Sequence, residues 1–487
     1  MSRPRIYVIG AGFAGRAIAR EIHEKQIFGK VVAFLDDDPE KIGRRIENIP
    51  VVGPIEEVVS LLEKNPADEA LIAIPNASRD KIRELYHVLR QAQFNRIRIL
   101  PTVSQIVGDE AHFIQTRRLD PQDLLGRTPV NINLREALSY LRGRRVLITG
   151  AGGSIGSELA RQLLSGGAER LYLFGHGENS IYEIEAELRL LQEEGVGESA
   201  QIVPVIGELT DRKYLEFLLR RLRADVIFHT AAYKHVPMME ANPVAAIQNN
   251  VFGSRNLLEA ARSSGTSRLV FISTDKAVSP VSVYGASKRI AEQIMLQQDP
   301  RCASMVVRFG NVLASRGSIL PLFRRQIEKG GPVTITDNSA TRFFMTIPEA
   351  VSLVLEAGGV GTPGDLYALD MGEPVSIADL AQQLIRFYGY NDGDIPIREI
   401  GLRPGEKLTE ELIAPGEELC PTPFERIFRV QRREETTQSL TDLLAQLEPI
   451  CFFDPQNPGV YRNRRTLRHI LTHAFPDLLQ NPGEPEY

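Results

Sequence analysis

Twice in this chain an apolar, strand-like run meets a glycine-rich turn and then apolar residues at 3.6-residue spacing. Few folds accommodate that succession even once. The first copy runs from Arg5-Ile6-Tyr7-Val8-Ile9 through Gly10-Ala11-Gly12-Phe13-Ala14-Gly15 into a helical pattern over 16–24. Strand signals follow at 31–35, 70–74 and 96–100, with a second helical pattern over 80–92. The second copy starts at Arg145-Val146-Leu147-Ile148 and turns through Thr149-Gly150-Ala151-Gly152-Gly153-Ser154-Ile155-Gly156. Further strands are expected near 170–174, 202–206, 225–229, 268–273 and 303–309. Strands alternating with helices predict doubly wound parallel sheets. The expected fold class is therefore α/β with two Rossmann-like domains, the second carrying a smaller C-terminal substrate-binding region.

The 487 residues suit roughly three units at about 150 residues each. The first Rossmann-like domain is expected over 1–118. A linker follows over 119–143, where Asp120-Pro121-Gln122-Asp123 and Gly126-Arg127-Thr128-Pro129 interrupt any regular period. The nucleotide-binding domain is expected over 144–311, a substrate-binding region interleaved with it over 312–450, and an appended tail rich in Pro, Asn and Arg over 451–487. A net charge of −5 and only short basic runs, such as Arg142-Gly143-Arg144-Arg145, argue against a nucleic-acid partner. No apolar run is long enough to span a membrane, and the first residues lack the apolar core of a secretory signal, so a cytoplasmic protein is expected. Cys302, Cys420 and Cys451 form no CxxC pair and the eight histidines are dispersed, so no metal site is expected, and Cys302 reads as a small core residue.

In the second turn, glycines at 150, 153 and 156 permit a tight turn, close approach of backbone to a pyrophosphate, and close helix packing. The free N–H groups beginning at Ser154 and Ile155 and the positive end of the helix dipole suit phosphate. The bland alternative is an ordinary βα turn, and the motifs downstream weigh against it. The strand 171–174 ends in Gly175-His176-Gly177, where an NAD-preferring site usually carries an acid for the ribose 2′-OH. Lack of that acid removes a repulsion on a 2′-phosphate, so NADP is favoured over NAD, with His176 and Ser180 as its candidate contacts. The first turn has Asp36 at ribose-binding distance in sequence but no catalytic set after it. Gly10, Gly12, Gly15 and Asp36 are thus a candidate second nucleotide site, or a scaffold retained for docking or oligomerisation.

Ser273-Thr274-Asp275-Lys276 follows the apolar run 268–272, so it should emerge at the carboxyl end of the sheet, where doubly wound folds bind ligands. Tyr284 and Lys288 are one helical turn apart and should share a face, where the lysine ammonium would favour tyrosinate. Tyr-x-x-x-Lys alone is common on helix surfaces. Placed after both the glycine turn and Ser-Thr-Asp-Lys it points to hydride transfer from a sugar hydroxyl. A carboxylic acid and an amine beside that tyrosine are what β-elimination requires: with C4 a ketone, Lys276 can remove the C5 proton while protonated Asp275 assists departure of the C6 hydroxyl.

From about 125 to 430 the chain resembles the UDP-N-acetylglucosamine 4,6-dehydratases, the CapD-like polysaccharide biosynthesis branch of the extended short-chain dehydrogenase/reductases. The resemblance rests on the glycine turn, Ala231-Ala232-Tyr233-Lys234-His235-Val236-Pro237, Ser273-Thr274-Asp275-Lys276-Ala277-Val278, Arg308-Phe309-Gly310-Asn311-Val312, Thr341-Arg342-Phe343-Phe344-Met345-Thr346 and Leu402-Arg403-Pro404-Gly405-Glu406-Lys407. It implies that Ala231 and Ala232 line a tightly bound, recycled nicotinamide cofactor, with Glu208 and Leu209 near the adenine. It assigns the chemistry to Thr274, Asp275, Lys276, Tyr284 and Lys288, and puts Lys234, Asn311, Arg342, Arg403 and Glu406 near a UDP-sugar. It also implies a homo-oligomer. Arginine forks suit diphosphate or uracil carbonyls, although each could serve a structural ion pair. The N-terminal unit resembles the extra CoA-binding-like domain of longer members, which carry membrane helices ahead of it, so the chain is either a soluble form or a piece cut after those helices.

Two departures stand out. Gly175 stands where many relatives carry an acidic residue and Gly207-Glu208-Leu209 where Gly-Asp-Ile or Gly-Asp-Leu is usual, which leaves cofactor identity open, and Tyr284 stands where many long relatives have methionine. The tyrosine leaves retention or inversion at C5 open. The competing readings are a nucleotide-sugar 4-epimerase, which needs no elimination acid and base, and a cofactor-binding module without turnover.

Overall fold

The computed structural model describes residues 3–25, 29–74, 77–94, 96–100, 117–118, 138–193, 195–197, 199–432 and 439–478. The chain divides into two units, Met1–Asn133 and Leu134–Tyr487. Both are α/β with parallel sheets, as the alternating pattern predicts.

The strand Arg5–Ile9 lies at the centre of the first unit because Ile6, Tyr7, Val8 and Ile9 are all buried, the habit of a strand covered on both faces. It pairs in parallel with Lys30–Leu35 on one side and Glu69–Ile72 on the other. Arg96–Ile99 continues the sheet in parallel, and the short strand Arg117–Arg118 pairs antiparallel beyond it. The helices Phe13–Lys25 and Arg79–Gln91 match the two helical periods in the sequence. The hairpin of Arg45–Ile46 and Ile49–Gly53 and the helix Val58–Lys64 were not foreseen, their stretches being too short to show a period.

The second unit contains a nine-stranded sheet. Its first six strands are Arg145–Thr149, Arg170–Gly175, Gln201–Ile206, Val226–His229, Arg268–Ile272 and Ala303–Arg308. Arg145–Thr149 sits beside both Arg170–Gly175 and Val226–His229, so the chain winds outward first one way and then the other. Loops on the two sides of that reversal diverge at the carboxyl ends of the strands and leave a crevice.

The chain beyond residue 312 is not a separate layer. Short strand pairs, Asn311–Val312 with Phe344–Met345 and Thr341–Arg342 with Val375–Ser376, build the smaller region. Leu366–Leu369 then returns to the main sheet, and the antiparallel hairpin of Glu417–Pro421 and Ile427–Arg432 extends it.

Two boundaries differ from expectation. Residues 119–137 of the expected linker lie outside the described residues, but its last part belongs to the second unit: Leu141 is buried and the Tyr140 hydroxyl donates to the Leu355 carbonyl at 2.9 Å. The expected tail contains the helix Arg464–Ala474, which follows the helix Leu440–Cys451. Leu447, Ile450, Leu467 and Leu471 enter the same core as Leu257 and Ile290. Arg468 Nη2 donates to Glu240 Oε2 at 3.1 Å, and Glu240 Oε1 accepts from the Val283 amide at 2.7 Å. The last helix is thereby tied to the start of the helix Val283–Met295. Among the described residues, no helix is long and apolar enough to cross a membrane.

Candidate active site

The second glycine turn is shaped to admit a ligand against its backbone. Gly150 has φ +67°, and a Cβ there would come within 2.8 Å of the Ala231 backbone. A Cβ on Gly156 would lie 2.2 Å from the Gly150 carbonyl oxygen, so helix and turn touch directly. Gly153 caps the helix Ser154–Ser165 without a side-chain hydrogen bond, so Ser154, Ile155 and Gly156 begin a helix whose first amides have no helical carbonyl to serve. These features fit the pyrophosphate of a dinucleotide.

Around the turn, Ala231 N donates to Thr149 Oγ1 at 3.4 Å and lies beside Ala232. Leu209 is buried, its carbonyl accepting from Asn256 Nδ2, whereas Glu208 is exposed. His176 stands edge-on to Tyr233, and the Ser180 hydroxyl donates to the Gly177 carbonyl at 2.8 Å. Two residues here escaped the sequence reading. Gly152 is needed because a Cβ would meet Ser180 at 2.5 Å. Arg316, from the loop after Asn311–Val312, donates through its amide to Ser154 Oγ and through Nη1 to the Gly152 carbonyl, each at 3.0 Å.

The groups expected to react converge from two elements. Thr274, Asp275 and Lys276 follow Arg268–Ile272 directly, as foreseen, and Asp275 is fully buried. Asp275 Oδ1 accepts from Thr274 Oγ1 at 2.8 Å and from Lys276 Nζ at 3.0 Å, while Oδ2 is buried without a hydrogen-bond partner. A Cβ on Gly310 would stand 3.1 Å from that oxygen, so the glycine keeps space open beside it. Lys276 Nζ also donates to Asn311 Oδ1 at 3.1 Å, which brings Asn311 into the same cluster.

Tyr284 and Lys288 share a face of the helix Val283–Met295, whose N-cap Ser282 accepts from the Gly285 amide. Burial pushes the Tyr284 phenol up to about 12, against the opposing pull of Lys276; Asp275 adds to the rise, and a hydrogen bond with Thr274 works against it. Lys276 is therefore the cation acting on Tyr284 here, where the sequence suggested Lys288. Lys288 Nζ instead donates to the Ile272 carbonyl at 2.7 Å and lies 3.8 Å over the Phe271 ring. Burial lowers it to about 7, with Glu292 resisting.

Beneath these groups lies a network that the sequence did not reveal. Ser273 Oγ donates to Glu292 Oε1, and Arg308, wholly buried, bridges Glu292 and Glu417. It fixes the helix Val283–Met295 to the neighbouring strand and to the hairpin beyond it. Asn250, in the π-helical segment Ile247–Phe252, accepts from the Tyr233 amide and donates to Ser287 Oγ, joining the Ala231–Lys234 loop to the same helix. π-Bulges inside helices are frequent at functional positions.

On the expected substrate side, Lys234 Nζ donates to Ser315 Oγ at 3.4 Å. Arg403 is exposed, and Glu406 has one buried carboxylate oxygen without a hydrogen-bond partner. Arg342 Nη1 donates to the Thr341 and Leu408 carbonyls and Nη2 to that of Lys407, so these donors hold the 402–410 segment in place. Gly405, φ +78°, lets that segment pass against Ser282, and Lys407 Nζ donates to the Val278 carbonyl. The segment thus closes over the Asp275–Lys276 loop and delivers Glu410, another residue missed in the sequence, to within 3.5 Å of Lys276 Nζ.

In the first unit, Gly10 has φ +98° and a Cβ on Gly15 would meet the Gly10 carbonyl at 1.9 Å, whereas Gly12 has open space around it. Asp36 accepts from the Ala11 amide at 2.7 Å and the Asp38 amide at 3.0 Å, and pairs with Lys41 at 3.2 Å. It braces the turn that the sequence reading had it serve as a ribose contact.

Residues 146–432 match the family described as polysaccharide biosynthesis protein, and residues 3–101 the family described as CoA-binding domain. The chain is 41% identical over 426 residues to the probable polysaccharide biosynthesis protein EpsC of Bacillus subtilis strain 168, an alignment covering 87% of this chain and 70% of that protein. It is also 41% identical over 427 residues to the capsular polysaccharide biosynthesis protein CapD of Staphylococcus aureus, with the same coverage of each. The X-ray structure of Pen from Bacillus thuringiensis is similar at a TM-score of 0.54 and 32% identity, covering 60% of this chain and 89% of Pen. On these matches, and on a fold of the extended short-chain dehydrogenase/reductase kind, the chain belongs to the polysaccharide biosynthesis protein family.

Proposed function

We propose that this protein is a nucleotide-sugar 4,6-dehydratase that converts UDP-GlcNAc to a UDP-4-keto-6-deoxy-HexNAc for surface glycan synthesis. The observation that carries the reading is the buried Asp275–Lys276 pair, one hydrogen bond long, beside the Tyr284 phenol. An oxidising tyrosine alone suits an epimerase; an acid and an amine next to it suit elimination.

In this reading the amides at Gly153–Gly156 would hold the pyrophosphate of a nicotinamide nucleotide, and Lys288 and Tyr284 would serve its ribose end. When bound, that nucleotide supplies the hydride acceptor for C4 and the hydride donor for C6. Tyr284 takes the C4 hydroxyl proton, Lys276 the C5 proton, and Asp275 donates to the departing C6 hydroxyl. Thr274, whose hydroxyl donates to Asp275 Oδ1 and acts on Tyr284, is assigned to passing the C4–OH proton from Tyr284 to the acid that needs it. Lys234, Arg403 and Glu406 are assigned to the UDP side, Asn311 to orienting Lys276, and Arg342 to shaping the segment above. NADP is assigned over NAD because Gly175 puts no carboxylate at the strand end; identifying the nucleotide released on denaturation tests this.

The decisive experiment is mass spectrometry and NMR of the product from UDP-GlcNAc. Loss of one water with a C4 ketone is expected. UDP-GalNAc as the sole product would replace this reading with a 4-epimerase. Lys276→Ala is expected to lose the keto product while retaining bound nucleotide, and undiminished turnover would remove Lys276 from its role.

A further inference from the structure

Three ionisable groups that act on Tyr284 meet at Lys276: Asp275, Lys276 itself and Glu410. Glu410 is buried, and its Oε1 lies 3.5 Å from the Lys276 ammonium. Its Oε2 has no hydrogen-bond partner, and the same is true of Asp275 Oδ2. Among the described residues, Lys276 is the cation within ion-pair distance of both carboxylates, each of which has one buried oxygen without a hydrogen-bond partner there. The other charges acting on Glu410 are Arg342 and Lys407, and Glu410 in turn acts on Tyr284. Two buried carboxylates sharing one ammonium carry an excess negative charge, which one added proton cancels.

We infer that Glu410 holds that proton, and that its protonation governs whether the Lys276 proton can cross to Asp275. With Glu410 ionised, two carboxylates hold Lys276 as an ammonium, which cannot take a proton from C5. With Glu410 neutral, only Asp275 opposes transfer along the 3.0 Å Nζ–Oδ1 hydrogen bond. The Nζ–H bond breaks and an Oδ1–H bond forms, giving a neutral amine and a neutral acid together. Elimination then consumes both: the amine takes the C5 proton, the acid gives its proton to the leaving C6 hydroxyl, and water departs. Lys276 is left an ammonium and Asp275 a carboxylate. Return of the Lys276 proton to C5, and passage of the C4–OH proton from Tyr284 through Thr274 to Asp275, restore the starting inventory.

The electrostatics support this arrangement. Burial raises the Glu410 carboxyl and Asp275 raises it further, against Lys276, Arg342 and Lys407. Burial lowers Lys276, but Asp275 and Glu410 outweigh it and leave it raised, so an ionised Glu410 works against the base. Glu410 acts through Lys276 and is a positioning residue.

The inference rests on the dehydratase reading, and the test separates the two. The pH profile of keto-product formation is measured for the wild-type holoenzyme and for Glu410→Gln, a fixed neutral mimic. Wild-type kcat is expected to fall about tenfold per pH unit on an alkaline limb, and Glu410→Gln is expected to lose that limb. An alkaline limb unchanged in Glu410→Gln overturns the inference and leaves the dehydratase intact. No keto product from the wild type at any pH overturns the dehydratase itself. If Glu410→Gln does not fold, Glu410→Asp and the infrared carbonyl band of a protonated carboxylic acid decide. A band that titrates with the alkaline limb in the wild type and shifts in Glu410→Asp supports the inference; no such band refutes it.

Discussion

Replacing Arg308 by methionine is expected to cost the second unit about 3–5 kcal/mol, because it removes the guanidinium from between two buried carboxylates. Its bonds to Glu292, both 2.7 Å, and to Glu417, at 2.6 and 3.2 Å, all disappear. Methionine fills much of the vacated space, so the loss is chiefly electrostatic. Arg289, 3.3 Å from each of the same carboxylates, keeps part of the compensation and favours the lower end of the range. The chain has no tryptophan, so unfolding in urea is followed by far-UV circular dichroism. For a slope of about 3 kcal/mol per molar urea, the transition of this unit moves down by about 1 M or more. The combined variant Glu292→Gln/Arg308→Met leaves Glu417 facing Arg289, and it should recover about 1–3 kcal/mol relative to the sum of the single changes. An unmoved midpoint in Arg308→Met, or strict additivity in the double variant, would refute the view of Arg308 as a compensating charge.

Two further outcomes follow from geometry already described. Gly150→Ala must adopt φ +67° against the Ala231 backbone; the left-handed conformation costs about 1–2 kcal/mol, and nicotinamide-nucleotide affinity should drop roughly tenfold or more by calorimetry. An unchanged Kd would mean that the nucleotide does not lie on this turn. Burial works to raise Glu292, but Arg308, Arg289 and the Ser273 hydroxyl prevail and hold it at about 2. A carboxyl depressed in the folded state stabilises above its unfolded value of about 4.3, and this contribution is lost as pH falls from there toward 2. Unfolding free energies of the wild type and Glu292→Gln should therefore converge as pH falls through that window, and parallel curves would contradict the pairing.

The parts of the site legible in the sequence are those held by short local rules. Gly150, Gly153 and Gly156 stand in one turn, Asp275 and Lys276 directly follow an apolar run, and Tyr284 and Lys288 are one helical turn apart, so spacing alone brings each set together. Glu410 and Arg316 obey no such rule: each reaches the centre from a loop whose path is set by tertiary contacts, Arg342 and Gly405 for the first and the Gly152 carbonyl for the second. Arg308 and Glu292 were invisible for another reason. A charged residue in an apolar strand and another on a helix look like surface positions until both are seen buried against each other. The helix Arg464–Ala474 reads as part of a tail because basic residues crowd it, and Pro449 inside Leu440–Cys451 likewise obscures a helical period before it. Tertiary packing of Leu447 and Leu467 overrides both signals.

The contact of Arg468 with Glu240 has a consequence for the order in which the protein matures. Synthesis proceeds from the N-terminus, and early elements begin to fold while later ones are still being made. Glu240 and the Val283 amide emerge long before Arg468, so during translation the start of the helix bearing Tyr284 rests on a buried carboxylate that has not met this cation. The helix bearing Tyr284 acquires this anchor only after Arg468 has been made, so damage to the helix Arg464–Ala474 is felt at a segment encoded far upstream.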